Sequence, residues 1–234
     1  MKNKEEKDLK DDKNIKKEQT KKKEKKNKKN KLPLGKKITR VIVKGAIFAY
    51  CKVVYRAKII GTENIPKDGS LIFCGNHRSF LDPPLIEVTC KRDDTRFLAK
   101  KELAKNKFMA FLGNVFDAIL VNRDEKDVTV VKESLRTLKQ GNCIAIFPEG
   151  TRNGLEKGEK VKDGASYFAL NSDAKVIPVG IKGGEKPFKK AYITYGKPID
   201  FSEYKATRKE KDTMDKVTDE IMNNILELAK WERI

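Results

Sequence analysis

Short apolar runs alternate with longer amphipathic stretches over most of the chain, beginning near residue 57. Runs at residues 70–74, 143–147 and 176–181 predict strands of a sheet core. The stretches between strands carry apolar residues three and four positions apart, which predicts helices. Such alternation is typical of helices covering a largely parallel sheet. We therefore predict an α/β fold with a mixed, largely parallel sheet covered by helices.

Weaker signals give bounds for the remaining elements. Further strands are predicted at residues 57–61, 95–99, 115–121 and 192–195. Helices are predicted at residues 83–90, 101–112, 128–139 and 161–171, and an amphipathic closing helix at residues 214–228.

Positive charge is concentrated at the start of the chain. The 234 residues carry a formal net charge of +19, and residues 1–37 hold 17 lysines against seven acidic residues with almost nothing apolar. Such a segment cannot bury enough surface to fold, so we expect a disordered tail at residues 1–37. The charge also predicts an anionic partner, which could be a phospholipid surface, a nucleic acid or a phosphorylated substrate.

Residues 38–56 form the first apolar segment and have helical amphipathicity. On a helical wheel, Arg40, Lys44, Lys52 and Arg56 fall on one half, and apolar side chains fall on the other. The pattern fits a helix lying in a membrane interface and equally a helix packed on the domain. No run of about 18 apolar residues is present, so we expect no transmembrane helix. The N-terminus also lacks the apolar region of a secretory signal.

Metal chemistry is not favoured by the distribution of potential ligands. The four cysteines are scattered without a CxxC pair, which indicates a reducing compartment and argues against a zinc site. His77 is the single histidine of the chain. We therefore expect no metal.

His77 and Asp82 lie in the sequence NHRSFLD, directly after a predicted strand. Ligands of α/β sheets bind beyond the carboxyl ends of strands. A histidine there can accept a proton near neutral pH, and a carboxylate five residues on could orient it. Alternatively, Asp82 caps the following helix, with Pro83 in its first turn.

A second loop, FPEGTR at residues 147–152, follows another predicted strand. Its glycine turn, hydroxyl group and Arg152 could bind an anion, because a guanidinium makes paired contacts with phosphate. The alternative is an ordinary polar turn.

The two loops, in this order, resemble those of the glycerolipid acyltransferase family, specifically its 1-acyl-glycerol-3-phosphate acyltransferases. Two further blocks match: AILVNR, which ends at Arg123, and VIPVG at residues 176–180. The resemblance covers roughly residues 59–199. Two features depart from the family pattern. Asn122 stands where members often have an acidic residue, and residues 153–160 are unusually charged.

The resemblance implies transfer of a fatty acyl group from an acyl-CoA or acyl-ACP thioester to the sn-2 hydroxyl of 1-acyl-glycerol 3-phosphate, which gives phosphatidic acid. His77 would be the general base and Asp82 would orient it. The implied substrate-binding residues are Asn76, Arg78, Lys100, Arg123, Glu149, Gly150, Thr151 and Arg152, with Lys101 an alternative to Lys100. No cofactor is implied beyond the acyl donor.

The same resemblance implies a lysophospholipid acceptor, an anionic membrane surface as partner, and a peripheral or monotopic location on the cytoplasmic face of the membrane. The predicted organisation is a tail at 1–37, a membrane-associating helix at 38–56 and a catalytic domain at 57–234. Glycerol 3-phosphate or another lysolipid is an alternative acceptor. A basic nucleic-acid-binding protein is the alternative from another class, but aromatic residues make up 8% of the chain and no nucleic-acid-binding motif accompanies the basic runs.

Overall fold

A computed structural model describes residues 33–122 and 128–230 of the chain. Most of the predicted tail, residues 1–32, lies outside the described residues. The chain divides into two compact units, Met1–Thr39 and Arg40–Ile234. The side-chain contacts discussed below belong to the second unit.

Seven strands form one sheet in the described part of the chain, in the order β1-β7-β6-β2-β5-β3-β4. They are β1 (Lys58–Ile60), β2 (Leu71–Gly75), β3 (Thr95–Lys100), β4 (Ile119–Val121), β5 (Cys143–Ile146), β6 (Lys175–Lys182) and β7 (Tyr192–Tyr195). Neighbouring strands run parallel except β6 and β7, which are antiparallel. The predicted mixed, largely parallel sheet is confirmed.

Six α-helices accompany the sheet in the described residues. They are α1 (Leu34–Val54), α2 (Asp82–Thr89), α3 (Lys107–Val115), α4 (Val128–Lys139), α5 (Gly164–Leu170) and α6 (Lys211–Lys230). Every residue of β2 is buried. Two apolar clusters contain alternate residues of β2, with Ile72 in one and Phe73 in the other. Because successive side chains of a strand point to opposite faces, helices and loops cover both faces of this central strand.

Two predicted elements differ most from the structure. The helix predicted at 101–112 is divided, because the Asn106 side chain accepts hydrogen bonds from the amides of Phe108 and Met109 and so starts a new helix, α3. The strand predicted at 115–121 is shorter: α3 continues to Val115, and Asp117 turns the chain with φ of 53°.

Helix α1 turns part of its basic half towards the domain and leaves much of its apolar half exposed. Arg40 and Lys44, assigned to one polar half, point into the domain. Arg40 donates to the carbonyl oxygens of Val115 and Asp93 and pairs with Asp117, with donor–acceptor distances of 2.7–2.9 Å. Buried carbonyls and carboxylates require donors, so these contacts decide which side of the helix faces inward.

The opposite side of α1 is largely apolar and exposed. Val41, Ile42 and Val53 are 64%, 66% and 73% exposed, and Phe48 also faces outward. Lys52 lies on this side, but its ammonium group turns back to the carbonyl of Ala57 at 3.0 Å. Over the described residues, the helices are all too short or too polar to cross a membrane.

Candidate active site

His77 lies just beyond the end of β2, where its ring contacts a buried carboxylate. Nδ1 of His77 is 2.8 Å from Oδ2 of Asp82, and Asp82 is 1% exposed. An ionised carboxylate accepts hydrogen bonds only, so this contact places the ring proton on Nδ1. The other ring nitrogen, Nε2, has no hydrogen-bond partner among the described residues and carries the lone pair that can accept a proton.

Asp82 is the first residue of α2 and turns its carboxylate back to the preceding loop. Oδ2 accepts from the backbone amides of Arg78 (2.6 Å) and Ser79 (2.7 Å), and Oδ1 from the Ser79 hydroxyl (3.1 Å). The next two residues, Pro83 and Pro84, have no N–H to offer it. The alternative in which Asp82 caps its own helix is therefore wrong: Leu81 occupies the cap position. The carboxylate instead holds the histidine loop together.

Glu149 joins the His77 loop to the FPEGTR loop. Its Oε1 accepts from the amide of His77 at 2.9 Å, and its Oε2 from the amide of Leu155 at 3.3 Å. The carbonyl of His77 in turn accepts from the amide of Asn153 at 2.6 Å. Glu149, predicted to bind substrate, is thus buried with both oxygens occupied by backbone amides. It fixes the position of the base.

Phe147 is a contributor that the sequence interpretation left without a role. Its ring stacks on the His77 imidazole, with centroids 4.4 Å apart and planes 24° apart. The stacking limits rotation of the imidazole. Its position at the end of a strand, five residues before Arg152, was the available sequence signal.

Asn76 was also predicted to bind substrate, and both polar atoms of its side-chain amide are hydrogen-bonded within the fold. It donates to the carbonyl of Ile181 at 2.8 Å and accepts from the amide of Ile181 at 2.7 Å. This pair ties the end of β2 to β6 immediately before the base.

The two arginines of the site have different partners. Arg78 is held by two carboxylates, Glu185 at 2.6 Å and Glu156 at 3.1 Å, and the hydrogen bond that it donates to Glu185 raises the pKa of Arg78. Arg152 instead lies over the ring of Phe80, with its guanidinium carbon 3.7 Å from the ring centroid, and has no carboxylate partner among the described residues. Arg152 therefore has hydrogen-bond donors available for an anion.

The FPEGTR loop is a tight turn. Gly150 has φ of 71°, a conformation that favours glycine, and its amide donates to the carbonyl of Phe147 at 2.9 Å. The hydroxyl oxygen of Thr151 is buried and has no hydrogen-bond partner among residues 33–122 and 128–230. The structure thus places the loop that carries Gly150, Thr151 and Arg152 against the loop of His77.

Two predicted cations stand apart from this cluster. Lys100 is exposed at the end of β3, at the same edge of the sheet as the ends of β2 and β5. Lys101 begins a short 3₁₀ turn that runs away from the strand end. Arg123 lies outside the described residues.

Metal and thiol chemistry find no support in the described part of the chain. No group of three histidine, cysteine or acidic side chains there could hold a metal ion. The four cysteines are free and buried, and burial raises the thiol pKa of Cys51 and Cys90 to about 11. Thiols that stay protonated are poor nucleophiles.

Comparison with known proteins agrees with this architecture. The family model described as Acyltransferase matches residues 56–182, more than half of the chain. The chain is 27% identical to the 1-acyl-sn-glycerol-3-phosphate acyltransferase of Bacillus subtilis, over 73% of this chain and 87% of that protein. It is 33% identical to the protein of the same name from Borreliella burgdorferi, over 52% of this chain and 49% of that protein.

A solved structure shares the fold. The crystal structure of the 1-acyl-sn-glycerophosphate acyltransferase PlsC from Thermotoga maritima superposes with a TM-score of 0.57 at 27% sequence identity, covering 86% of each chain. The family match covers more than half of the chain, and the solved structure shares its fold. The chain belongs to the acyltransferase family.

Proposed function

We propose that this protein transfers a fatty acyl group from an acyl-CoA or acyl-ACP thioester to the sn-2 hydroxyl of 1-acyl-glycerol 3-phosphate. The observation that carries the proposal is the His77–Asp82 pair, which leaves Nε2 of His77 available beside a loop that presents Arg152. The printed names of the similar proteins from Bacillus subtilis, Borreliella burgdorferi and Thermotoga maritima support the same acceptor.

The proton transfers follow from the geometry of the pair. Nε2 of His77 removes the proton of the acceptor hydroxyl as its oxygen attacks the thioester carbonyl carbon. The tetrahedral intermediate collapses, the carbon–sulfur bond breaks, and the imidazolium returns the proton to the leaving sulfur. Asp82 stabilises the imidazolium between these steps without accepting its proton. No acyl-enzyme forms, and the reaction uses no cofactor beyond the donor.

The phosphate of the acceptor binds at the FPEGTR loop in this proposal. The guanidinium of Arg152 supplies two parallel donors for a phosphomonoester, and Phe80 holds its plane from one side. Lys100 and Arg123 are further cations for the same acceptor. Arg78 acts through its two glutamates to order the loops around the site.

We also propose that the exposed apolar side of α1 rests in a membrane interface, which would place the enzyme peripherally on the cytoplasmic face of the membrane. Arg40 and Lys44 fasten the helix from within, so its outward side has Val41, Ile42 and Val53 free for insertion. The lysine-rich tail would add electrostatic attraction to anionic headgroups.

An acyl-transfer assay tests the reaction. The protein is supplied with lysophosphatidate and either acyl-CoA or acyl-ACP, and products are identified by mass spectrometry. We expect phosphatidate with at least one donor. Acylation of glycerol 3-phosphate but not of lysophosphatidate would show that glycerol 3-phosphate, and not lysophosphatidate, is the acceptor. No acyl transfer to any lysolipid, from protein whose fold is verified by circular dichroism, would contradict the proposal.

A further inference from the structure

The charged segment at residues 153–162 lies against the FPEGTR loop, and two of its side chains have clear structural roles. Glu156 pairs with Arg78 at 3.1 Å. The ammonium group of Lys157 donates to the carbonyl of Arg152 at 2.8 Å. These contacts hold the two arginines in place. At least two charged side chains of this segment therefore stabilise the loops around the site.

Lys162, at the end of this segment, crosses the glycine of the FPEGTR loop. Its amide donates to the carbonyl of Pro148 at 2.8 Å, which fixes its backbone beside the loop. A methyl group added at Gly150 would lie 3.3 Å from Cγ and 3.4 Å from Cε of Lys162. The lysine stem therefore occupies the space that the missing side chain of Gly150 leaves, and Nζ is one bond beyond the last of these contacts.

The ammonium group of Lys162 has no ion-pair or hydrogen-bond partner among the described residues. The nearby carboxylates are engaged elsewhere or exposed. Glu149 accepts from backbone amides and Glu156 pairs with Arg78, whereas Glu159 and Asp163 face solvent. Lys162 is itself exposed, so its stem packs over Gly150, two residues before Arg152 in the same loop, while its ammonium group is open to solvent. An uncommitted charge in this position is suited to binding an anion.

We propose that Lys162 binds the phosphomonoester of the acyl acceptor together with Arg152, so that the acceptor phosphate is held from two sides of the Gly150 turn. This inference rests on the proposed function, because it assigns a residue to the same acceptor. A phosphomonoester dianion has three terminal oxygens, and the planar guanidinium pairs with two of them. A lysine ammonium, a compact point charge, suits the third.

The test is Lys162→Met, with Lys160→Met as its matched control. Methionine keeps an unbranched stem over Gly150 and removes only the charge, so the fold is retained. Lys160 is an exposed lysine of the same segment, and its replacement changes the net charge by the same amount. We expect Lys162→Met to raise KM for lysophosphatidate about tenfold or more, the usual size for a lost charged hydrogen bond. KM for the acyl donor and kcat should change less than about twofold, as should every parameter of Lys160→Met.

Two results would overturn the assignment. One is a KM for lysophosphatidate within about twofold of wild type in Lys162→Met, and the other is an equal effect in Lys160→Met, which would indicate a general field of positive charge. Lys162→Arg should recover most of the acceptor KM, since it restores the charge.

Binding of glycerol 3-phosphate to the whole protein, followed by calorimetry, separates this inference from the proposed reaction. If wild-type protein binds glycerol 3-phosphate and Lys162→Met binds it much more weakly, the phosphate site stands even if lysophosphatidate is not acylated. If both bind it equally, Lys162 is not a phosphate ligand, whatever the acceptor.

Discussion

Helix α2 carries a buried carboxylate near each end, and the two have opposite surroundings. Asp82, in the first turn, is 1% exposed and accepts from two backbone amides, a hydroxyl and the imidazole of His77. Glu87, five residues later, is 2% exposed, and among the described residues its ion-pair partner is Lys44 of α1, at 3.0 Å. The two carboxylates are about equally buried, but Asp82 accepts hydrogen bonds from more donors than Glu87 does.

The difference in hydrogen-bond donors indicates a chemical role for Asp82 and a structural role for Glu87. The hydrogen bonds that Asp82 accepts fix its carboxylate against the imidazole of His77, which suits it for stabilising an imidazolium. At Glu87, burial raises the carboxyl pKa to about 7, although attraction to Lys44 and Arg40 lowers it. Burial lowers the pKa of Lys44, but its contacts with Glu87 and Asp93 more than offset this, so that pKa is raised. The Glu87–Lys44 pair fastens α1 to the domain.

The largest expected effect is on the rate at the Asp82 end. Asp82→Asn should lower kcat by about 10⁴-fold, because an amide favours the wrong imidazole tautomer and cannot stabilise its charged form. His77→Ala should lower kcat at least as much. Steady-state assays with lysophosphatidate measure both, and circular dichroism verifies the fold. Glu87→Gln, the matched change at the other end of α2, should leave kcat within about twofold. A comparable loss of kcat in Glu87→Gln would contradict the assignment of different roles to the two carboxylates.

The second largest effect is expected on the stability of the protein when the Glu87–Lys44 pair is broken. Lys44→Met leaves the Glu87 carboxylate buried without its cation, and breaking a buried pair in this way typically costs about 3–5 kcal/mol. The free energy of unfolding, measured in urea at pH 8, should fall by that amount. Lys52→Met is the control on the exposed side of α1 and should change it by less than about 1 kcal/mol. Lys44→Met with Glu87→Leu should restore most of the loss. A Lys44→Met protein as stable as wild type would show that the pair does not fasten the helix.

The sequence predicted the loops around His77 better than it predicted the orientation of helix α1. The His77 and FPEGTR loops could be found because each is a short contiguous motif after a strand. Their mutual ties were harder to foresee: Arg78 is 78 residues from Glu156 and 107 from Glu185 in the chain. Which side of α1 faces the domain stayed open, because a helical wheel separates the basic half from the apolar half but does not say which of them packs inward. Arg40 is instead drawn in by polar groups of residues 93, 115 and 117, far along the chain.

A smaller effect is the pH dependence of stability that Glu87 contributes. Its folded-state pKa of about 7 lies above the ordinary value of 4.5. The native state therefore binds the proton more tightly, and this stabilisation is complete below pH 4.5 and lost as pH rises through 7. Relative to Glu87→Gln, wild type should lose up to about 3 kcal/mol of unfolding free energy between pH 4.5 and 7. Urea unfolding across this range measures the difference, and parallel curves for the two proteins would contradict it.

The smallest effect is expected on the outward side of α1, which touches neither carboxylate. Replacing Val41, Ile42 and Val53 with Gln removes exposed apolar surface, so kcat with a soluble short-chain acceptor and the unfolding free energy should stay near wild type. Binding to anionic vesicles should weaken about tenfold or more at every salt concentration, since apolar burial contributes roughly 25 cal/mol per Å² and is not screened.

Co-sedimentation with vesicles over a salt series measures this binding. Leu120→Gln with Val128→Gln is the control, because both side chains are exposed and apolar but lie elsewhere on the domain. Removal of residues 1–30 should weaken binding at low salt alone, because screening removes the contribution of its lysines at high salt. If the α1 variant sediments like wild type, the membrane contact lies elsewhere. The Glu87–Lys44 pair would then be fastening a helix whose exposed side serves another purpose.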